Sequence, residues 1–230
     1  MERYVIHACQ HRMWYVDEYL VPSMLRQGID RDEILIWCDT DFKGNLQAAI
    51  DCFEHCGKHE GGCWHLQDDV ILDESFAKRT RNADDQIECG FCHYAFENKD
   101  GRSVERIGEV ASRYMWSSFP CIYIPNRIAK AFVEWFYDKA CYDQKYDQLI
   151  FNKSGDDRFF RDYINEFCQD ERVINHVPAL IDHIDWLIGG SVANRHRGTN
   201  CRAYYWTNED AIDALRYKLC EEGHREGVLF

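Results

Sequence analysis

The chain has 230 residues, of which 46% are apolar and 14% are aromatic, so it can form a substantial core. With 14 glycines and only 4 prolines, the composition argues against a disordered or linker-rich protein. The formal net charge of −13 disfavours nonspecific binding to nucleic acid, which requires clustered lysine and arginine.

Two features of the sequence bear on the cellular compartment. No apolar run approaches the roughly 20 residues that a membrane-spanning helix requires, and the N-terminus lacks a signal-peptide pattern. The 12 cysteines are scattered through apolar runs, which is typical of small buried side chains rather than of a disulfide framework. We therefore expect reduced thiols and a cytoplasmic location.

The first predicted element is a buried strand at residues 4–8. Apolar residues then recur at helical spacing, which predicts an amphipathic helix over residues 13–27. Pro22 implies a kink or an early end of this helix, and Gly28 is a natural stop.

A second apolar run, at residues 34–38, predicts a strand that is buried on both faces. Gly44 then opens a helix, and a third strand begins at Trp64. This order predicts an α/β fold with a mostly parallel central sheet flanked by helices. Ligands of such sheets bind outside the carboxyl ends of the strands. Four acids fall at or near those ends, namely Asp39, Asp41, Asp68 and Asp69.

The second half of the chain alternates polar segments with apolar elements. The polar segment at residues 78–88 predicts a loop, and the one at residues 97–109 predicts a surface excursion or hairpin. Strands are predicted at residues 88–94 and 119–125, and helices are predicted after an N-cap at Asn126, around residues 159–167, and after a capping box at Thr207.

The most informative segment is residues 64–72, an apolar run interrupted by Asp68 and Asp69. Buried carboxylates are costly unless something pairs them. A divalent cation backed by phosphate is one such partner, and oxygen ligands suit Mg²⁺ or Mn²⁺ better than zinc. The alternative is a strand end or turn with two solvated aspartates.

This pattern resembles GT-A glycosyltransferases, including lipopolysaccharide-type and phage-like enzymes. The tripeptide 67–69, Gln-Asp-Asp, is similar to a variant of their acidic strand-end motif, and residues 72–76 are similar to the segment that follows it. The resemblance covers residues 1–195. It implies a GT-A-like nucleotide-diphospho-sugar transferase fold and a metal-dependent, inverting, hexosyltransferase-like enzyme. Such an enzyme moves a sugar from a nucleotide-sugar donor, expected to be a UDP-sugar, to a hydroxyl-bearing acceptor.

The resemblance also implies roles for individual residues. Mn²⁺ or Mg²⁺ is expected on Asp69, because the neutral Gln67 replaces the first acid of the motif, and His183 can complete the metal shell. Asp68 is expected on the opposite strand face, nearer the ribose or a metal-bound water. Two further candidates for binding the nucleotide sugar lie after predicted strands, Asp39 and Lys43, and a third lies within the first strand, His7.

Residues 155–157, Gly-Asp-Asp, resemble the element that orients or deprotonates the acceptor hydroxyl in inverting members. We expect Asp157 to be the base, with Asp156 as the second candidate. Such a base typically contributes ~10²–10⁴-fold in rate. The alternative for either acid is that it caps the following helix.

No repeat or clear boundary divides the sequence, so we predict one domain over residues 1–230. Within it, the resemblance implies a nucleotide-binding half at residues 1–80, an acceptor half at residues 85–200 and a C-terminal helix at residues 205–230.

Several alternatives stay open on the sequence alone. His183 can be a satisfied core residue. Lys43 and Arg12 both follow predicted strands and are candidates to contact phosphate, but they can instead be ordinary surface charges. A rival interpretation is a zinc module built from Cys52, Cys56, Cys63, Cys89, Cys92 and His93, although the spacing lacks two clear ligand pairs. The function itself can instead be non-catalytic binding of a cation or a partner, or nucleotidyl or phosphoryl transfer with the same acid pair.

Overall fold

The computed structural model describes residues 3–83, 85–90, 108–111, 120–171, 173–188 and 208–221, with residues 108–111, 175 and 177 described by their backbone alone. Within these residues the protein has a mixed α/β fold. A mostly parallel central sheet carries a hydrophobic cluster on each face.

Seven strands of the described residues form the central sheet. Their bounds are Tyr4–Cys9 (β1), Ile34–Asp39 (β2), Cys63–Gln67 (β3), Ile87–Cys89 (β5), Gly108–Ala111 (β6), Cys121–Ile124 (β7) and Val173–Val177 (β8). The spatial order is β2-β1-β3-β7-β5-β8-β6, with β7 and β6 antiparallel to the other five. Two further strands, Val70–Leu72 (β4) and Ile181–His183 (β9), form a small antiparallel sheet.

The helices of the described residues connect these strands. Their bounds are Met13–Tyr15 (α1), Val21–Arg26 (α2), Asn45–Lys58 (α3), Phe76–Thr80 (α4), Asn126–Asp138 (α5), Asp147–Phe151 (α6), Asp156–Phe167 (α7) and Glu209–Glu221 (α8).

The predicted order of strand, helix, strand, helix and strand is confirmed for the first 72 residues. β1 pairs in parallel with both β2 and β3 and therefore lies between them. As a result, the carboxyl ends of these three strands meet at one edge of the sheet, where ligands of α/β proteins bind.

The prediction that β2 is buried on both faces is wrong. β2 is the edge strand of the described sheet, and after the buried Ile34 its residues are only half-buried. A continuous apolar run reports that a strand packs against something, but it does not distinguish a central strand from an edge strand whose outer side is open.

The predicted first helix is confirmed, but Pro22 does not end it. Residues 10–26 form one helical segment in which α1 and α2 are separated by a π-helical turn at Val16–Leu20. The wider π turn lies directly before Pro22, where a proline removes one helical hydrogen bond. The segment ends as predicted at Gly28, whose φ of 81° is left-handed.

The second half of the chain departs from prediction in detail. Residues 76–80 are helical as α4, so the predicted loop at 78–88 begins later. β5 and β7 lie within or beside the two predicted strands, whose residues 91–94 and 119 are outside the described part. Asn126 is the first residue of α5 rather than its N-cap.

The N-cap of the last helix is also shifted. Thr207 lies outside the described residues, and Asn208 accepts a hydrogen bond at 3.2 Å from the amide of Ala211, which is the geometry of a side-chain cap.

The two faces of the central sheet pack against different helices, as the alternation of side chains along β1 illustrates. Val5 faces the cluster formed with α3, α5 and α7. Tyr4 and Ile6 face the cluster formed with the first helical segment, β4, β9 and α8. The loops at the carboxyl edge of the sheet connect to helices on both faces. The candidate site at that edge therefore lies between the helices of the two faces.

The cysteines of the rival zinc module that the structure describes lie in the core. Cys52, Cys56 and Cys63 are fully buried among the side chains of α3 and α5. Burial raises the pKa of Cys52 and Cys56 well above the usual thiol value, so both are protonated. Cys92 and His93 lie outside the described residues.

No helix of the described residues is long and apolar enough to span a bilayer.

The turn that opens α3 provides a first prediction, which concerns Gly44. Its φ is 94°, and a Cβ atom there would lie 2.5 Å from Cβ of Lys153. Gly44→Ala should therefore destabilise the protein by left-handed strain of about 1–2 kcal/mol plus a packing clash of typically 1–3 kcal/mol. Urea unfolding measures the loss.

Gly61→Ala is the matched control, because Gly61 has a φ of 89° with nothing within 4 Å of the added Cβ. It should lose the strain contribution alone. Equal losses in the two variants would contradict the close packing of the two loops.

Candidate functional site

The acid pair lies in the tight turn between β3 and β4, and both carboxylates are buried. Asp68 is 5% exposed and Asp69 is 6% exposed. The alternative of two solvated aspartates is therefore wrong. Their charges need partners within the protein.

Arg12 supplies the main partner. Its Nη1 donates to Asp68 Oδ1 at 2.8 Å and also contacts Asp69 Oδ2. Arg12 follows β1 by three residues and is itself 6% exposed, so the interpretation of it as a surface charge is wrong. The amide of Cys9 donates to the other oxygen of Asp68 at 2.7 Å.

The two aspartates do not diverge as we expected. Residues 68 and 69 form a turn instead of continuing the strand, so the alternation of side chains does not apply to them. Both carboxylates converge on the same guanidinium nitrogen.

His183 joins the pair through the small antiparallel sheet. In that sheet Val70 is opposite His183, and the amide of Ile184 donates to the carbonyl of Asp69 at 2.8 Å. This register places His183 Nε2 at 3.2 Å from Asp69 Oδ2. On the other side of the ring, Nδ1 lies 3.7 Å from Oδ1 of Asp185.

These contacts decide the charges of the cluster. Burial would raise the pKa of Asp69, but Arg12 and His183 outweigh it and hold that pKa well below its usual range. Burial would lower the pKa of His183, but Asp69 and then Asp185 outweigh it and raise the pKa. Asp69 is thus a firmly ionised carboxylate beside an imidazole that readily takes a proton.

Asp156 and Asp157 lie in the first turn of α7. The N-cap of this helix is Gly155, with a φ of 81°, so neither acid is the N-cap. Asp157 accepts a hydrogen bond at 2.8 Å from the amide of Arg158, and burial raises its pKa.

Asp156 is the more deeply buried of the two, at 5% exposure. Its Oδ1 accepts a hydrogen bond from the amide nitrogen of the Asn45 side chain, at the start of α3. Its Oδ2 has no hydrogen-bond partner among the described residues. Burial, then the charge of Asp157 and more weakly that of Asp69, raise the pKa of Asp156 to about 8. The charge of Asp69 therefore contributes to the electrostatic environment of Asp156.

Two loops with unusual backbone meet beside Asn45 and Asp156. Phe42, with a φ of 54°, and Lys153, with a φ of 52°, are non-glycine residues in the left-handed region. Nζ of Lys153 donates to the carbonyl of Phe42 at 3.5 Å, and the amide of Leu46 donates to the carbonyl of Lys153 at 3.1 Å. Such strain is concentrated at functional sites in proteins.

His7 lies on β1 on the same side of the sheet as Val5. Its Nδ1 has no hydrogen-bond partner among the described residues. Burial lowers the pKa of His7 despite the nearby charges of Asp68 and Asp69, so the ring is neutral at pH 7. Its imidazole can exchange a hydrogen bond with a ligand at the edge of the sheet.

Asp39 and Lys43 are held by local partners. The two oxygens of Asp39 accept hydrogen bonds at 2.9 Å from the amides of Lys43 and Gly44, which closes the loop after β2. Nζ of Lys43 forms an ion pair at 2.8 Å with Asp51. These contacts shape the loop and leave Asp39 and Lys43 outside the buried cluster.

The expected cation can be tested against the donors present. Two ligands at about 2.1 Å from one ion, roughly at right angles, lie about 3 Å apart. The separation of 3.2 Å between His183 Nε2 and Asp69 Oδ2 matches this value. Asp69 Oδ1 is buried without a hydrogen-bond partner among the described residues, and the carboxylate behind His183 is the usual support of a metal-bound imidazole.

These residues therefore fit a divalent cation as a partial shell. No three His, Cys, Asp or Glu side chains in the described part of the chain form a complete metal-binding group. Phosphate oxygens or water would have to complete it, as is common for Mg²⁺.

Sequence reasoning missed three parts of this cluster. These are the bridging position of Arg12, the hydrogen bond from Asn45 to Asp156, and the support of His183 by Asp185. The short spacing of Asp182, His183 and Asp185 is the one signal in the sequence that pointed to the last of them.

Comparison with known proteins does not assign the chain to a family. No family model matches it, and no curated protein sequence does so either. The functional argument therefore depends on the geometry of the site.

The raised pKa of Asp156 gives a second prediction, about stability. Between about pH 4 and pH 8 the folded protein keeps a proton that the unfolded chain has released, so rising pH costs folding free energy. The side chain of Asp156→Asn is a neutral amide that does not titrate in this range. Its unfolding free energy relative to wild type should rise across that window, by at most about 1.4 kcal/mol per pH unit, and level off above pH 8.

Chemical unfolding at a series of pH values measures the difference. Asp32→Asn is the control, since Asp32 is exposed and far along the chain from the cluster, and its difference from wild type should stay flat. A flat difference for Asp156→Asn as well would show that the carboxyl titrates normally.

Proposed function

We propose that the chain is a metal-dependent glycosyltransferase of the GT-A type, which moves a sugar from a nucleoside-diphosphate sugar to a hydroxyl acceptor. The observation that carries the proposal is a pair of acids whose pKa values are shifted in opposite directions. Asp69 is held ionised beside His183, with Asp68 next to it, and the charge of Asp69 contributes to raising the pKa of Asp156, a buried carboxyl, to about 8.

On the donor side, Asp69 and His183 would hold Mn²⁺ or Mg²⁺, with Asp68 beside them. When bound, the cation would neutralise the charge that develops on the departing diphosphate. Asp185, 3.7 Å from Nδ1 of His183, would support the imidazole electrostatically as it binds the ion. His7 would be a further contact for the donor substrate, through the buried Nδ1 that lacks a hydrogen-bond partner among the described residues.

On the acceptor side, Asp156 is the preferred base, in place of Asp157. The acceptor oxygen attacks the anomeric carbon of the sugar, the bond from that carbon to the diphosphate breaks, and the hydroxyl proton passes to Oδ2 of Asp156. A carboxylate with a pKa near 8 accepts this proton more readily than an ordinary aspartate does. Asn45 orients the group through its other oxygen.

A titration calorimetry experiment with UDP and Mn²⁺ tests the donor side. Wild type should bind UDP measurably only with Mn²⁺ present, and Asp69→Asn should weaken that binding at least tenfold, since it removes the ionised ligand. Asp32→Asn, at an exposed position, should behave as wild type.

If no nucleoside diphosphate binds with any divalent ion, the proposal fails and a non-catalytic protein becomes the better account. Incubation with a labelled nucleotide sugar separates the remaining alternative. Release of the nucleoside diphosphate supports sugar transfer. Release of the nucleoside monophosphate instead indicates transfer of the sugar phosphate, and release of the sugar phosphate indicates nucleotidyl transfer.

The assignment of the base is tested by comparing Asp156→Asn with Asp157→Asn. Asp156→Asn should lower kcat by about 10²–10⁴-fold with little change in KM. Wild-type kcat should rise with pH to a plateau above about 8, because the base must be deprotonated, and the residual activity of Asp156→Asn should lack this rise.

Asp157→Asn serves as the comparison at the neighbouring, less buried position. If it loses the activity while Asp156→Asn keeps it, the roles of the two acids are reversed.

A further inference from the structure

Arg12 lies where the cation is expected to act. A single nitrogen, Nη1, bridges one oxygen of Asp68 and one oxygen of Asp69. Asp69 Oδ2 is also the oxygen closest to His183 Nε2. The contacts of the guanidinium thus fall on the same carboxylates that would hold a divalent ion.

The bridge has a clear energetic reason. Two adjacent carboxylates that are 5% and 6% exposed repel each other, and leaving a buried charge without its partner is strongly destabilising. Arg12 compensates them within the protein. The cluster is therefore ordered before any ligand arrives.

The same bridge makes Arg12 a competitor. A guanidinium in hydrogen-bond contact with Asp69 Oδ2 and a metal bond to that oxygen from the same side exclude each other sterically. To release the acids, Arg12 must leave two charge-assisted hydrogen bonds, and it is buried, so it needs another anion nearby.

A diphosphate is the anion that the proposed function brings to this place. Arginine pairs with phosphate oxygens through its planar fork as well as it does with carboxylates. Arg12 can then move from the two aspartates to the phosphates, and the ion binds the aspartates in its place. Cation and nucleotide each relieve the cost of binding the other.

We propose that Arg12 couples the binding of the divalent cation to the binding of the nucleoside diphosphate. Without ligands Arg12 holds the acid pair, and when both ligands bind it moves to the phosphates. This inference rests on the proposed function for the identity of the two ligands. Because the coupling is reciprocal, it appears in the affinity for either ligand.

The test measures Mn²⁺ affinity by electron paramagnetic resonance, with and without UDP, for wild type and Arg12→Gln. Wild type should bind Mn²⁺ weakly alone and at least tenfold more tightly with UDP. Arg12→Gln should bind Mn²⁺ alone at least tenfold more tightly than wild type, and the effect of UDP on its Mn²⁺ affinity should shrink. Arg26→Gln, at an exposed arginine, is the control and should match wild type.

Arg12→Lys guards against a folding defect in Arg12→Gln, since it keeps a positive charge beside the acids. A single ammonium group on a shorter side chain bridges the pair less well, so this variant should bind Mn²⁺ alone at least threefold more tightly than wild type. Circular dichroism establishes which variants are folded.

The outcomes separate the inference from the proposed function. If wild type binds Mn²⁺ alone as tightly as the folded Arg12 variants do, while UDP binding still requires the ion, Arg12 is no competitor and the inference is overturned with the function intact. If neither wild type nor any variant binds Mn²⁺, with or without UDP, both the inference and the proposed function are contradicted.

Discussion

The charge balance among Arg12, Asp68 and Asp69 is the constraint on which the site depends. Two neighbouring carboxylates at the end of a buried strand need a cation, and the helical segment after β1 provides one in contact with both. The turn between β3 and β4 can therefore be tight and buried although it carries two acids. The other features of the cluster are arranged around a pair that is already fixed in place.

The small antiparallel sheet adds the next layer. Because Val70 is opposite His183, a residue more than a hundred positions away reaches Asp69, and Asp185 supports it from behind. The imidazole lies between two carboxylates, which explains why its pKa rises although it is buried. Opposite electrostatic conditions hold at Asp156, where burial without a cation keeps the proton on the carboxyl. The pKa values of Asp69 and Asp156 are thus shifted in opposite directions, and the proposed acid–base chemistry would use this separation.

The sequence predicted the parts of this arrangement that local pattern controls. The alternation of apolar runs with helical spacing located the strands β1, β2 and β3 and the helix α3, and the two acids interrupting an apolar run located the turn. The sequence pattern did not predict which distant segments of the chain contact each other. The edge position of β2 depends on which strand lacks a neighbour, and the burial of Arg12 depends on a turn 56 residues later. Asp68 was placed on the wrong side because strand alternation was extended through residues that turn.

The spacing of the charged partners along the chain also affects the order in which the site assembles. Arg12 follows β1 and the two aspartates follow β3, so these three charged groups can come together before the remainder of the chain has been synthesised. His183 and Asp156 come from much later segments, and β4 stays without its partner strand until β9 has been synthesised. The contacts among Arg12, Asp68 and Asp69 can thus form from the N-terminal part of the chain alone, whereas the contacts of His183 and Asp156 require the later segments.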